Sequence, residues 1–208
     1  MKRGLDIKML TKEEEKILKK LDTPRKIQDF LNKLKINFEE HGETCMSPRR
    51  VLKEGKAHCI EGALLAYLAF KINGGKAWLV DMKTTKDDFE HVICVWKENG
   101  KWGAITKTNH YCLRYREPIY NSIRELVMSY FHEYFDDNGK KTLRSFSVPV
   151  TLNRFDSGWI TEEKELWKIH DWLDKIKHYP ILTRKQIRNL RRADRIEIKA
   201  GKIVEWKR

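Results

Sequence analysis

AHCIEGALLAYLAF, residues 57–70, passes from a polar start into an almost wholly apolar run. Ile60, Ala63, Leu64, Ala66, Tyr67, Leu68 and Phe70 lie nearly all round a helical wheel. That is the pattern of a helix buried on most sides and therefore central to its domain. A polar loop, residues 56–58, leads into it, and Asn73-Gly74-Gly75 stops it. The helix is headed by Cys59, in a first turn whose unpaired N–H groups and partial positive charge lower a thiol pKa.

Three strands are expected after this helix: AWLVDM, FEHVICVW and WGAIT. The last two are joined through Asn99-Gly100, a two-residue hairpin signal, and the middle one is apolar on both faces, as an interior strand is. On the N-terminal side, Thr11 with Glu14 forms a capping box before an amphipathic helix, and Thr23-Pro24 and Ser47-Pro48 are cap-then-proline helix starts. On the C-terminal side, Ser122 with Glu125 caps IRELVMSYFHEYF, which Asp136-Asp137-Asn138-Gly139 ends. SFSVPVTLNRF is expected to be extended, with Pro149 pointing to an edge or non-strand course. Thr161 is expected to cap EEKELWKIHDWLDKI over an acidic first turn, and Thr183 with Gln186 to cap RKQIRNLRRA. The tail IEIKAGKIVEW alternates about Ala200-Gly201 as a small hairpin does. The fold class is thus α+β: a buried Cys-headed helix on an antiparallel sheet, with helical additions at both ends. Residues 1–22 form an N-terminal amphipathic helix, 23–150 the core, and 151–208 a basic helical extension packed on it.

The 208 residues carry 43 Lys and Arg against 30 Asp and Glu, a net +13, and are 40% hydrophobic. A chain of that length builds one sizeable core. Its four cysteines show no C-x-x-C pair and no regular spacing, and no apolar run reaches signal-peptide or membrane-spanning length, so a reducing, cytoplasmic setting without a membrane is expected. Residues 183–208 hold ten basic and three acidic residues, a surface able to engage nucleic acid or another acidic partner. The plainer alternative is a solvated face.

A cysteine nucleophile needs a base, and that base needs an orienting group. His91, on the middle strand with Phe89, Ile93 and Val95, faces the core helix and is the candidate base. With Asn99 and Gly100 at the turn, His91 stands opposite Thr108 and diagonal to Thr106. Cys94 falls on the opposite face and suits core packing. Taken singly, Cys59 and His91 would each be read as buried core residues. Their pairing carries the functional reading. His58 could offer a second imidazole, although a side chain adjacent in sequence usually points elsewhere.

A zinc reading would collect His41, Cys45, His58, Cys59, Cys94, His110 and Cys112, but no standard pair of ligand spacings is present, and neither metal nor cofactor is expected. Arg114 and Arg116 among Tyr111, Tyr115 and Tyr120 suit a substrate carboxylate, a phosphate or stacked bases, or a half-buried extended segment with its arginines in ion pairs.

This order of features resembles the transglutaminase-like superfamily of the papain-like fold. The matching residues are Cys59, Glu61, Ala63 and Leu64 in HCIEGALLAYL, His91 in EHVICVW and Trp102 in KWGAIT, over roughly residues 23–108. The resemblance implies acyl transfer on an amide or peptide bond, by hydrolysis or transfer, with Cys59 as nucleophile, His91 as base and the Cys59 N–H facing the oxyanion. The family's aspartate position, four residues past Trp102, holds Thr106, which accepts an imidazole N–H but supplies no charge. Asn109 is the alternative orienting amide and would need a bulge to turn inward. A binding protein with a reduced site, using its basic C-terminal surface, is the competing reading.

Overall fold

The computed structural model describes residues 6–207. Helix α1 (Lys12–Lys20) begins on the Thr11/Glu14 capping box, α2 (Pro24–Lys33) on Thr23, and α3 (Pro48–Glu54) on Ser47, each cap accepting from the N–H three residues on. Two short strands, β1 (Lys35–Ile36) and β2 (Lys56–Ala57), pair in parallel and bring the end of α2 beside the entry to α4 (Cys59–Ile72).

Every α4 residue from Ile60 to Phe70 is buried. Each fully buried leucine in it, Leu64, Leu65 and Leu68, contributes about 2 kcal/mol by removal from water. That fixes α4 as the axis of the molecule.

After α4 come β3 (Ala77–Lys83), β4 (His91–Glu98), β5 (Lys101–Ile105), β6 (Arg116–Tyr120), α5 (Ile123–Met128), β7 (Ser145–Ser147), α6 (Trp167–Lys175), β8 (His178–Pro180), α7 (Arg184–Arg188) and α8 (Arg195–Gly201). Six of the strands form an antiparallel sheet in the order β6-β5-β4-β3-β7-β8. The β4–β5 hairpin turns at Asn99-Gly100, both with positive φ as a tight two-residue turn requires, and pairs Cys94 with Ile105. β4 is interior: Val92, Cys94 and Trp96 pack with α4, and Ile93 and Val95 with Leu126, Val127 and Tyr130 on the other face. Residues on both sides of the 150/151 boundary share the α4 cluster, among them Leu152, Trp159, Ile160 and Leu173. No helix among the described residues is long and apolar enough to cross a membrane.

Several elements depart from the sequence pattern, each where a tertiary contact outweighs a local signal. The segment after Thr161 does not begin a helix. Glu165 accepts the Cys45 N–H at 2.5 Å and pairs with Arg50 at 2.6 Å, and Leu166 N–H bonds to Cys45 O, so α6 starts only at Trp167. The helix from Ser122 stops at Met128 and gives way to a 3-10 turn, Phe131–Glu133, which tucks Tyr130, Phe131 and Tyr134 under the sheet. β7 lies inside the sheet between β3 and β8, and Pro149 falls beyond its end, where its missing donor is harmless. The C-terminal residues form no hairpin: Asp194 and Glu197 cap α8 across the alternating isoleucines, and residues 203–206 return to bond Asn109 and Tyr111. Phe89 precedes β4 and is 90% exposed, so it shares no face with His91.

Candidate active site

Cys59 is the first residue of α4, and His58 before it is the cap, in extended backbone (φ −103°, ψ −167°). Extended backbone followed at once by helix turns the two neighbouring side chains toward each other, contrary to the usual divergence of adjacent residues. His58 Nδ1 stands 3.9 Å from Cys59 Sγ. On the far side of the ring, His58 Nε2 donates to Thr44 O at 2.9 Å and lies 3.3 Å from Glu61 Oε1. Both partners are acceptors, so Nε2 carries a proton and Nδ1 faces the sulfur.

Glu61 is completely buried. Its carboxylate accepts from His58 N (2.9 Å), Met46 N (2.9 Å), Thr44 Oγ1 (2.8 Å) and Asn37 Nδ2 (3.2 Å). A buried carboxylate needs such a set of donors to stay charged.

His91 opens β4 and Thr106 follows the last residue of β5, so both stand at the end of the sheet. α4 packs on the Cys94 face rather than the face of Ile93 and Val95, and the thiol at its N-terminus meets His91 at that end of the sheet. His91 Nε2 shares a short hydrogen bond with Thr106 Oγ1, the residue diagonal to it in the hairpin. Gln28 on α2 holds Thr106 in turn, by two hydrogen bonds to its backbone. Asn109 does not orient His91: its amide donates to Trp206 O and its Oδ1 accepts the Trp206 N–H, which pins the C-terminal segment. Those two backbone bonds satisfy the amide where it lies.

All four cysteines are free, and Cys59 alone is not buried as a residue. Burial raises the thiol pKa of Cys45, Cys94 and Cys112. Burial also pushes the Cys59 thiol up, but hydrogen bonds from His58 and His91 and the charge of both imidazoles outweigh it, and its pKa falls well below the usual thiol range. For His58, burial favours the neutral ring, yet its bond to Cys59 and the charges of Cys59 and Glu61 prevail and raise its pKa. Both shifts favour a thiolate beside an imidazolium.

These groups line a cavity of about 750 Å³ that also takes in Lys107, Tyr134, Asp81 and Glu90. Tyr134 is held in its phenol form by burial, with the Cys59 charge adding to the effect. Lys107 is 1% exposed and donates to Leu34 O at 2.5 Å, and burial lowers its pKa to about 8.

On one rim, Asp81, Glu90 and Asp174 bring oxygens within 4.8 Å of one another. Lys83 hydrogen-bonds Glu90 and Asp174 and lies 3.4 Å from Asp81, so the cation of this cluster is the protein's own. Among the described residues this is the group arranged closely enough for a metal, and it contains none of the cysteines or histidines of the zinc reading.

Arg114 and Arg116 are engaged in ion pairs with Glu205 (3.0 Å) and Glu133 (2.7 Å), with Arg116 also stacked on Tyr130. Gln28 and the Glu61 partners Asn37, Thr44 and Met46 escaped the sequence reading: they are 15 to 78 residues from the groups they hold, and no local pattern signals them. His58, expected to point elsewhere, turns to Cys59 because of the helix start itself. No family model matches the chain, and no curated protein matches it.

Proposed function

We propose that the protein is a cysteine-dependent acyl-transfer enzyme that opens an amide or peptide bond, with a transglutaminase-like arrangement of its thiol and imidazole. The observation that carries this reading is the thiol of Cys59, at the head of a buried helix, between two imidazoles and open to a cavity. Structural cysteines are inert and raised in pKa, whereas nucleophiles sit in electropositive, partly open surroundings. Cys45, Cys94 and Cys112 match the first description and Cys59 the second.

In this chemistry Sγ attacks the carbonyl carbon, the oxyanion meets N–H groups of the first turn of α4, and the amine leaves with a proton from an imidazolium. Water or an amine then takes the acyl group. The test is acetyl transfer from 4-nitrophenyl acetate, followed by turnover of a library of peptidyl coumarin amides. Acetylated Cys59 with turnover that disappears in Cys59→Ala is expected; turnover that survives in Cys59→Ala overturns the reading.

A second reading rests on Arg184, Lys185, Arg188, Arg195, Lys199 and Lys202, which are exposed and, among the described residues, in no ion pair. Their charge is free for a polyanion, and nucleic acid is the partner it fits. Fluorescence anisotropy with a labelled oligonucleotide tests it. Binding that weakens with salt and persists in Cys59→Ala is expected, and salt-insensitive or absent binding removes it.

A further inference from the structure

Thr106 leaves His91 without a carboxylate, yet a carboxylate is present on the other side of the thiol. We propose that the Cys59 thiolate is held by His58 backed by Glu61, that His58 delivers the proton to the leaving nitrogen, and that His91 serves as the base for the incoming water. This division of labour rests on the acyl-transfer reading above and refines it.

The geometry distinguishes the two rings. The hydrogen on His58 Nε2 is fixed by the Thr44 carbonyl and the Glu61 carboxylate, which also favour a positive ring, while Nδ1 is aimed at Sγ. Glu61 cannot turn away, because four donors from three separate segments hold it. His91 has only a hydroxyl behind it, which accepts or donates one hydrogen bond and stabilises no charge. An imidazolium is therefore favoured at His58, and His91 lacks that support. Glu61 acts through His58 and is a positioning residue; His58 touches the reacting sulfur.

The atoms balance as follows. Sγ bonds to the carbonyl carbon, the C–N bond breaks, and the His58 Nδ1 proton goes to the departing amine. Water then bonds to the thioester carbon as His91 takes its proton. The C–S bond breaks and returns the thiolate, and the acid formed gives its proton to neutral His58, restoring the imidazolium. His91 passes its proton to solvent or to the free amine. The net change is one amide and one water to a carboxylate and an ammonium.

The titratable groups facing the pair are Glu39 and Glu61 beyond the ring (Glu39 at 3.6 Å), and His91, Tyr134 and Cys45 around the sulfur. The test follows the rate of Cys59 alkylation by iodoacetamide against pH in wild type, His58→Gln, Glu61→Gln and His91→Gln. Thiolate onset is expected to rise by a pH unit or more in His58→Gln, which slows alkylation at acid pH roughly tenfold, and to move less in His91→Gln. A larger shift in His91→Gln than in His58→Gln overturns the proposal. Because Glu61→Gln disturbs a buried network, nitrogen NMR of His58 supplies a second reading in the intact fold. Both ring nitrogens protonated at neutral pH, with the proton on Nδ1 lost in Cys59→Ala, is expected; a neutral His58 in wild type overturns it.

With 4-nitrophenyl acetate, whose leaving group needs no proton, His91→Gln is expected to keep the burst and lose turnover. Loss of the burst in His91→Gln counts against the assignment. Failure of the acyl-transfer reading itself is separately visible as a wild type with no burst, which removes the turnover half of the proposal even where the alkylation profile is as expected.

Discussion

Gln28 clamps the backbone of Thr106 from both sides: its Oε1 accepts the Thr106 N–H at 3.0 Å and its Nε2 donates to the Thr106 carbonyl at 2.9 Å. The pair sits where β5 ends, and it fixes the hydroxyl that meets His91. Replacing Gln28 by Leu fills the space but orphans two buried backbone groups, at an expected cost of about 2–4 kcal/mol in urea unfolding. Thr106→Val, which removes only the hydroxyl, is expected to cost about 1–2 kcal/mol, with Thr106→Ser closer to wild type. A Gln28→Leu variant as stable as the parent would mean that water replaces the clamp.

Gly62 lies on α4 where a Cβ would meet Lys107 Cβ at 2.6 Å. Inside a helix, Gly→Ala ordinarily stabilises by about 1 kcal/mol. Here the opposite sign is expected, because the obstructing atom sits next to the backbone and cannot swing aside. Thermal unfolding of Gly62→Ala checks this, and a raised Tm would show that the β5 end yields to α4.

Lys107 is a buried amine with, among the described residues, no carboxylate in salt-bridge range. Its pKa, lowered to about 8 by burial, lies below the unfolded value, so between the two the unfolded chain binds more protons. Stability from this group therefore increases as pH rises from about 8 toward 10.5. Lys107→Met is expected to stabilise the fold at neutral pH by roughly 2 kcal/mol, an advantage that fades in alkali. Equal destabilisation at both ends of that range would show that the hydrogen bond to Leu34 outweighs the buried charge.

His178 Nε2 bonds Asp81 Oδ2 at 3.0 Å, and that bond raises the imidazole pKa. A raised folded pKa contributes stability that is complete below the unfolded value of about 6.5 and is lost as pH climbs through the folded one. The unfolding free energy of His178→Gln should fall below wild type at pH 5.5 and converge with it in mild alkali. Curves that stay parallel across the range would remove the proton from this account.

The central frame was legible because its signals are local. Apolar residues on all sides of α4 demand burial, capping pairs such as Thr11/Glu14 start helices, and Asn99-Gly100 sets a hairpin register that puts Thr106 diagonal to His91. The candidate nucleophile and one imidazole could be named for the same reason: a helix start and a strand position are properties of neighbouring residues.

What surrounds the thiol was settled only by the tertiary structure. The donors that hold the Glu61 carboxylate come from Asn37, Thr44 and Met46 as well as His58, and Gln28 reaches Thr106 across 78 residues. The same holds for Asn109, which the returning tail captures through Trp206, and for Glu165, whose bond to Cys45 delays α6. Hydrophobic period and caps determine which segments become helices and strands, because those forces act along the chain. Charge, tautomer and hydrogen-bond partnership at Cys59 depend on groups distant in sequence, and the fold had to bring them together.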